Sequence, residues 1–228
     1  MLSGKGEKEK MNKKVLGIYG TGGTGWEIYE LIPELKDPYW EKIVFIDDSK
    51  ESCELNGVEC LPFSVFAEKY PFDDAEIIIS LGEPKYRELL YNKVISRNYT
   101  LPALIHPEAY ISERAKFGQG VIVKSRAMLS NVTIGDNSLV ADLSTLGHGV
   151  IIGKHCVISG HSTVNGGSIL EDNVYVGVSA NIREDTRIGK FSIVSMAAAV
   201  FKDVKDEQIV MGNPARVIAR NEKKLVFQ

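Results

Sequence analysis

His148 is the residue of this sequence best suited to take up a proton at neutral pH. It lies in Gly147-His148-Gly149-Val150-Ile151-Ile152-Gly153, two positions after Leu146. An imidazole has a reference pKa of about 6.5, so it can accept a proton from an attacking amine or hydroxyl near neutrality. The nearest carboxylate in the sequence is Asp142, so the ring is oriented by Asp142 or by a carboxylate of a neighbouring subunit, or the histidine works unaided. A second group of residues suits a nucleotide. Gly20-Thr21-Gly22-Gly23-Thr24-Gly25 fits G-x-G-x-x-G, and Asp47 follows 22 residues beyond Gly25. Glycines let the backbone approach phosphates, and a helix N-terminus favours anions. A tight strand-to-helix turn without a ligand would produce the same string. Asp48, Gly82, Lys85 and Arg87 complete the polar and glycine positions of this half; Lys85 and Arg87 also fit a solvated helix face.

The elements that must position these residues follow two different periods. In residues 13–105, Val15–Tyr19 is a short apolar run ending in glycines, as in a buried strand. Trp26, Ile28, Tyr29, Leu31 and Ile32 approach helical spacing over 24–35, with Pro33 set to end or kink that helix. Ile43–Ile46 and Ile77–Leu81 read as two further strands, and 84–97 as a helix. Alternating strands and helices imply a parallel sheet, a Rossmann-like α/β domain of about 90 residues.

From Ile111 the period becomes six. Ile111, Phe117, Val123 and Leu129 are followed, after a slip of one residue, by Ile134, Val140, Leu146, Ile152, Ile158, Val164, Leu170, Val176, Ile182, Ile188, Val194 and Val200. Four residues after each of the latter stands a small or β-branched side chain, from Ser138 and Ser144 to Ala198 and Val204 (Cys156 among them). Neither a helix nor an ordinary strand has this period; it is the hexapeptide signature of a parallel β-helix, three hexads to an 18-residue coil. In that register His148 points outward. His155 and His161 are outward too, three positions after an inward residue. Gly160, Val178 and Met196 stack 18 apart, and so do His148, Gly166 and Glu184.

The hexads resemble the left-handed β-helix of the acyltransferase superfamily, whose prisms commonly form trimers. The resemblance extends over about 14–219. It rests on Tyr19–Gly25, Phe45-Ile46-Asp47-Asp48, Ser80–Arg87, Leu104-Ile105-His106-Pro107, Gly147–Gly153 and Gly212-Asn213-Pro214-Ala215-Arg216. The family is that of the sugar acetyltransferases, which includes UDP-4-amino-sugar N-acetyltransferases of bacillosamine synthesis and sialic acid O-acetyltransferases. It implies an acetyl-CoA-dependent enzyme with His148 as general base. Gly22, Gly23, Thr24, Asp47, Asp48, Gly82 and Lys85 would bind the nucleotide-sugar, and Val157, Gly166, Val178 and Met196 would contact acetyl-CoA. Thr24 stands where the family usually has histidine, and Gly149 where it often has an acidic residue. Zinc enzymes of similar fold use histidines four apart; here His148, His155 and His161 are spaced seven and six, so no metal is expected. O-acetylation of sialic acid is the alternative reaction, and a nucleotide-sugar-binding scaffold or sensor the non-enzymatic one.

The composition fits this reading. The 228 residues carry a net charge of −3, with 44% hydrophobic and 25% charged residues. That balance argues against electrostatic capture of nucleic acid. No apolar run reaches the roughly 18 residues of a membrane helix. Three cysteines argue against a disulfide framework, and the polar start has no hydrophobic signal region, so a cytoplasmic protein is expected. The expected organisation is a disordered tail at 1–12, a nucleotide-sugar-binding domain at 13–105, a left-handed β-helix at 106–219 and a C-terminal tail at 220–228, assembled as a homotrimer.

Overall fold

The computed structural model describes residues 14–36 and 38–227; the tail expected at 1–12 lies outside them. The N-terminal half is an α/β domain. Its elements are β1 (Lys14–Tyr19), α1 (Gly23–Leu31), β2 (Trp40–Ile46), β3 (Cys53–Leu55), β4 (Val58–Leu61), α2 (Phe63–Lys69), β5 (Ala75–Ile79) and α3 (Pro84–Ile95). The sheet order is β3-β4-β2-β1-β5, parallel except for the edge strand β3. Strands covered on both faces are largely apolar; Val15–Tyr19 of β1 and all of the edge strand β5 are buried, with Glu76 the one charged residue among them. Gly17 is needed for this packing: a Cβ there would fall 2.7 Å from Ile46 Cδ1 and 2.9 Å from Phe66 Cζ.

Three differences from the sequence reading have local causes. Helix α1 ends at Leu31 and tightens into a 3-10 turn over Ile32–Glu34, because Pro33 has no N–H to continue the ladder. The hairpin β3–β4 turns on Asn56 and Gly57, both at positive φ, a two-residue turn between strands too short to show a period. Helix α2 is also short, at seven residues.

The second half is a parallel β-helix of two-residue strands. Its inward residues are the hexad series, from Ile111 to Val200, each the second residue of a strand. The strands form three faces. The first face, eight strands, starts with Leu104–Ile105 and includes Ile122–Val123, Leu139–Val140, Val157–Ile158, Tyr175–Val176 and Ile193–Val194. The second face, six strands, holds Thr145–Leu146 and Thr163–Val164; the third, five strands, holds Ile151–Ile152 and Ile169–Leu170. Leu104–Ile105 pairs with Ile122–Val123, so the coil begins two residues before the expected boundary.

The corners obey a strict rule. Asn137, Leu143, Gly149, His155, His161, Gly167, Asn173, Ser179, Asp185, Phe191 and Ala197 all have positive φ. One left-handed residue per hexad turns the chain through each corner. The small or β-branched residue that follows is buried, and where it is serine its hydroxyl donates to a backbone carbonyl: Ser138 Oγ to Gly153 O at 2.8 Å and Ser144 Oγ to Ser159 O at 3.0 Å.

The two halves share a core. The outward residues Leu104, Ile122, Leu139 and Val157 of the first face pack with Ile28, Leu31 and Ile32 and with Leu16, Ile18 and Phe45 of the sheet. The C-terminal segment is ordered against both halves. Val226 and Phe227 donate backbone N–H bonds to Glu83 Oε2 at 2.8 and 3.1 Å, and Asn221 Nδ2 donates to Phe191 O at 2.9 Å.

Candidate active site

The glycine turn joins the carboxyl end of β1 to α1. Sheet order makes β1 and β5 the switch point, where α/β sheets bind ligands beyond the strand ends. The two loops touch: Ser80 Oγ donates to Tyr19 O at 2.9 Å and Gly20 O at 3.0 Å. Gly20 has φ +121, and a Cβ on Gly25 would lie 2.2 Å from Gly20 O, so both glycines are needed by the turn itself. Gly22 and Gly23 differ, since a Cβ on either would meet nothing within 4 Å. No side chain caps α1, which leaves first-turn N–H groups available to an anion. Thr24 lies in this first turn, half-buried.

The aspartates at the end of β2 have different surroundings. Asp47 accepts from Thr21 Oγ1, from Ser49 Oγ at 2.6 Å and from Ser49 N at 3.0 Å. Asp48 accepts from the Tyr19 hydroxyl, from Lys93 Nζ and from Phe63 N at 2.9 Å. Burial pushes both carboxyls up, but the hydrogen bonds outweigh it and hold each below the usual carboxylate range. Gly82 and Lys85 lie under the C-terminal segment: a Cβ on Gly82 would come 3.8 Å from Phe227 Cε2, and Lys85 Nζ donates to Lys223 O at 3.1 Å.

His148 is exposed at the corner between the second and third faces. Among the described residues its side chain makes no hydrogen bond or ion pair. Its ring lies along the coil against the next rung, where a Cβ on Gly166 would sit 2.8 Å from both Cε1 and Nε2. Glycine at 166 therefore makes room for this ring orientation. Two nearby amides are occupied by the coil: Gly149 N donates to Asn131 O at 3.1 Å and Gly167 N to His148 O at 2.9 Å.

Two expected site residues are placed elsewhere. Asp142 occupies the preceding corner, across the second face from His148, where Lys124 Nζ lies 3.8 Å away; it does not orient the imidazole of its own chain. It lines a cleft of about 320 Å³ with Glu27, Glu30, Glu34, His106 and Lys124. Val157 is only 4% exposed, because the first face is covered by α1, so it offers no surface to a cofactor. Val178 and Met196 are exposed, next to the left-handed corner residues Ser179 and Ala197.

A seam of polar residues joins the halves, and it was not foreseen. Helix α3 lies along the corner ladder Asn137, His155 and Asn173. Asn173 Nδ2 donates to Pro84 O at 3.3 Å and Glu88 Oε2 at 3.2 Å. Arg87, fully buried and with no carboxylate partner among the described residues, donates to Asn137 O, Ile79 O, Leu81 O and Asn137 Oδ1 at 2.8–2.9 Å. Burial pulls its guanidinium down to about 9. This bond fixes the Asn137 amide, whose Nδ2 then donates to Arg87 O at 2.9 Å and to His155 Nδ1 at 3.0 Å. An acceptor Nδ1 means a neutral His155. Burial, then the charge of Arg87, depresses its pKa to about 4. Tyr91 stacks edge-on to it at 5.1 Å. His155 is thus outward from the coil yet buried under α3.

Comparison with known proteins accounts for both halves. Residues 15–94 match the model of the PglD N-terminal domain, and 131–166 that of the bacterial transferase hexapeptide (six repeats). A GDP-perosamine N-acetyltransferase of Escherichia coli O157:H7 is 27% identical over 218 residues, 90% of this chain and 98% of that protein. Among solved structures, the acetyltransferase domain of PglB from Neisseria gonorrhoeae FA1090, in complex with acetyl coenzyme A, is 25% identical with a TM-score of 0.83. WeeI from Acinetobacter baumannii AYE is 28% identical with a TM-score of 0.80. Each alignment covers 90% of this chain and 100% of the other. The chain belongs to the hexapeptide-repeat sugar acetyltransferase family. It is an enzyme of the acyltransferase class. In this sugar acetyltransferase the glycine turn and His148 lie on opposite sides of the prism. The α/β domain covers the first face, and His148 stands at the corner between the other two.

Proposed function

We propose that the enzyme transfers the acetyl group of acetyl-CoA to the amine of a nucleotide-linked amino sugar. The exposed, unpaired imidazole of His148 beside Gly166 is the observation that carries this reading. The α/β domain holds the nucleotide-sugar on the open side of Gly22 and Gly23, with Thr24, Asp47 and Asp48 around it and the Gly82–Lys85 segment alongside. Acetyl-CoA lies along a left-handed coil past Val178 and Met196, with its thioester over Gly166. The amine attacks the thioester carbonyl, His148 accepts the amine proton, the C–S bond breaks, and the imidazolium returns that proton to the departing sulfur, so coenzyme A leaves as the thiol. Positioning and one general base supply the catalysis. The oxyanion donor is neither Gly149 N nor Gly167 N, since both amides are bonded within the coil.

Because the two half-sites of one chain face away from each other, the working site combines the α/β domain of one copy with the His148 corner of another. A homotrimer satisfies this with closed symmetry and three equal sites. The relative that acts on GDP-perosamine and the one bound to acetyl coenzyme A support the substrate and donor classes. Thiol release from acetyl-CoA, measured over a panel of nucleotide-linked amino sugars with product mass and linkage analysis, tests the reading. An N-acetylated product is expected; an O-acetylated product, or none with any amino sugar, rejects it.

A further inference from the structure

Two of the three cysteines face each other. Cys53 on β3 is the direct cross-strand partner of Cys60 on β4. Counting outward from the Asn56–Gly57 turn, Leu55 and Val58 form a hydrogen-bonded pair, Glu54 and Glu59 a wide one, and Cys53 and Cys60 a hydrogen-bonded pair again. Such pairs have Cα atoms about 5.5 Å apart, with both side chains on the same side of the hairpin, inside the range a disulfide spans. Both thiols are free; Cys53 is exposed and Cys60 buried. Burial, then the neighbouring Cys53, pushes the Cys60 thiol up to about 11. An open cleft of about 580 Å³ borders Cys53. The hairpin is also tied to the aspartate loop: Cys60 pairs with Phe45 on β2, and Asp47 N donates to the next carbonyl, Leu61 O, at 3.0 Å.

We propose that Cys53 and Cys60 are a redox-active dithiol that closes reversibly into a cross-strand disulfide and stiffens the Asp47 loop. The exposed Cys53 reacts first. Its thiolate attacks a small-molecule disulfide such as glutathione disulfide, forming a mixed disulfide and expelling one glutathione thiolate. Cys60 gives up its proton to that thiolate and attacks Cys53 Sγ, expelling the second glutathione. Two protein thiols are oxidised and one glutathione disulfide is reduced to two thiols. Closure at a hydrogen-bonded pair requires some distortion, which makes the bond easy to reduce and suits a reversible switch. Cys156, fully buried in the coil core, takes no part.

The folded, full-length protein is equilibrated at pH 8 with glutathione disulfide, and its thiols are counted after denaturation. Wild type should fall from three thiols to one, and a Glu-specific digest should contain a linked Cys53–Cys60 peptide. Cys156→Ser should fall from two thiols to none. Cys60→Ser should stop at the glutathione adduct of Cys53. Hydrogen exchange at the Asp47 amide should slow in the oxidised wild type and recover on reduction. A wild type that also stops at the glutathione adduct, or a linkage through Cys156 or to a second chain, overturns the dithiol. Unchanged exchange at Asp47 overturns the coupling to the loop. None of these readouts depends on the acetyltransferase reaction.

Discussion

Acid should weaken this fold through His155. The folded state keeps the imidazole neutral, with a pKa of about 4, whereas the unfolded chain has the ordinary value near 6.5. Above pH 6.5 both states are neutral and the group adds no pH dependence. Below it the unfolded chain binds a proton that the folded chain refuses, so stability falls with pH until about 4. This one residue should cost about 2 kcal/mol between pH 7.5 and pH 5, and about 3 kcal/mol by pH 4. The groups around it are Arg87, Tyr91, Asp136, Lys154 and Asp172, and a comparison that keeps them all isolates the histidine. His155→Asn does so. Position 155 has φ +59, which asparagine tolerates and already occupies at Asn137 and Asn173 in the same ladder. Urea unfolding at fixed protein concentration, at pH 7.5 and pH 5, should show wild type losing about 2 kcal/mol more than the variant. The variant starts lower at pH 7.5, because its contact with Tyr91 is gone; only the pH-dependent difference counts. Equal losses in the two proteins would refute the neutral, buried histidine.

The other expectations follow from the same geometry. Arg87→Met keeps most of the buried volume but removes the donors to four acceptors, so unfolding free energy should drop by at least 3 kcal/mol in denaturant titrations, at about 1 kcal/mol per bond; a drop below 1 kcal/mol would show the seam to be idle. His148→Ala should lower turnover by roughly 10² to 10⁴ with the assembly intact, and near wild-type turnover would dismiss it as the base. Gly23→Val fills space that is open in the protein alone, so calorimetry should show weaker nucleotide-sugar binding with acetyl-CoA binding retained; loss of both would indicate misfolding instead.

The coil was the most legible part of the sequence. A six-residue period permits one inward position per strand, and every position from Ile134 to Val200 in that series is buried. The α/β core was legible where strands were long and apolar, and illegible in the hairpin β3–β4, whose three and four residues are too few for a pattern. The docking of the two halves had a signal that a search at period six does not detect. Outward residues of one face, Ile122, Leu139, Val157, Tyr175 and Ile193, recur every 17–18 positions and are all apolar, whereas the other faces mix apolar with polar residues: Lys116, Thr133, Ile151, Ile169 and Arg187 on one, and Tyr110, Met128, Thr145, Thr163, Asn181 and Ala199 on the other. That longer period marks the covered face, and it explains why Val157 is closed to a cofactor. The partnership of His148 with Asp142 was misread because six residues along the chain is one whole face of the prism. Arg87 stood within a motif-bearing segment, but a solvated arginine and a fully buried one look the same in sequence; only the meeting of α3 with the Asn137 corner separates them.

The division of the working site between two copies is tested most directly by complementation. Gly23→Val and His148→Ala chains, each impaired alone when assayed at limiting nucleotide-sugar, are unfolded together in equal amounts and refolded. With sites made from one copy's α/β domain and another's His148 corner, each hybrid trimer has one site of three that pairs an intact glycine turn with an intact histidine, so the randomly mixed population, homotrimers included, should regain about a quarter of wild-type activity. If both half-sites of a working site belonged to the same chain, every site would carry one defect. Activity no higher than that of either variant alone, in hybrids verified by mass, would contradict the account.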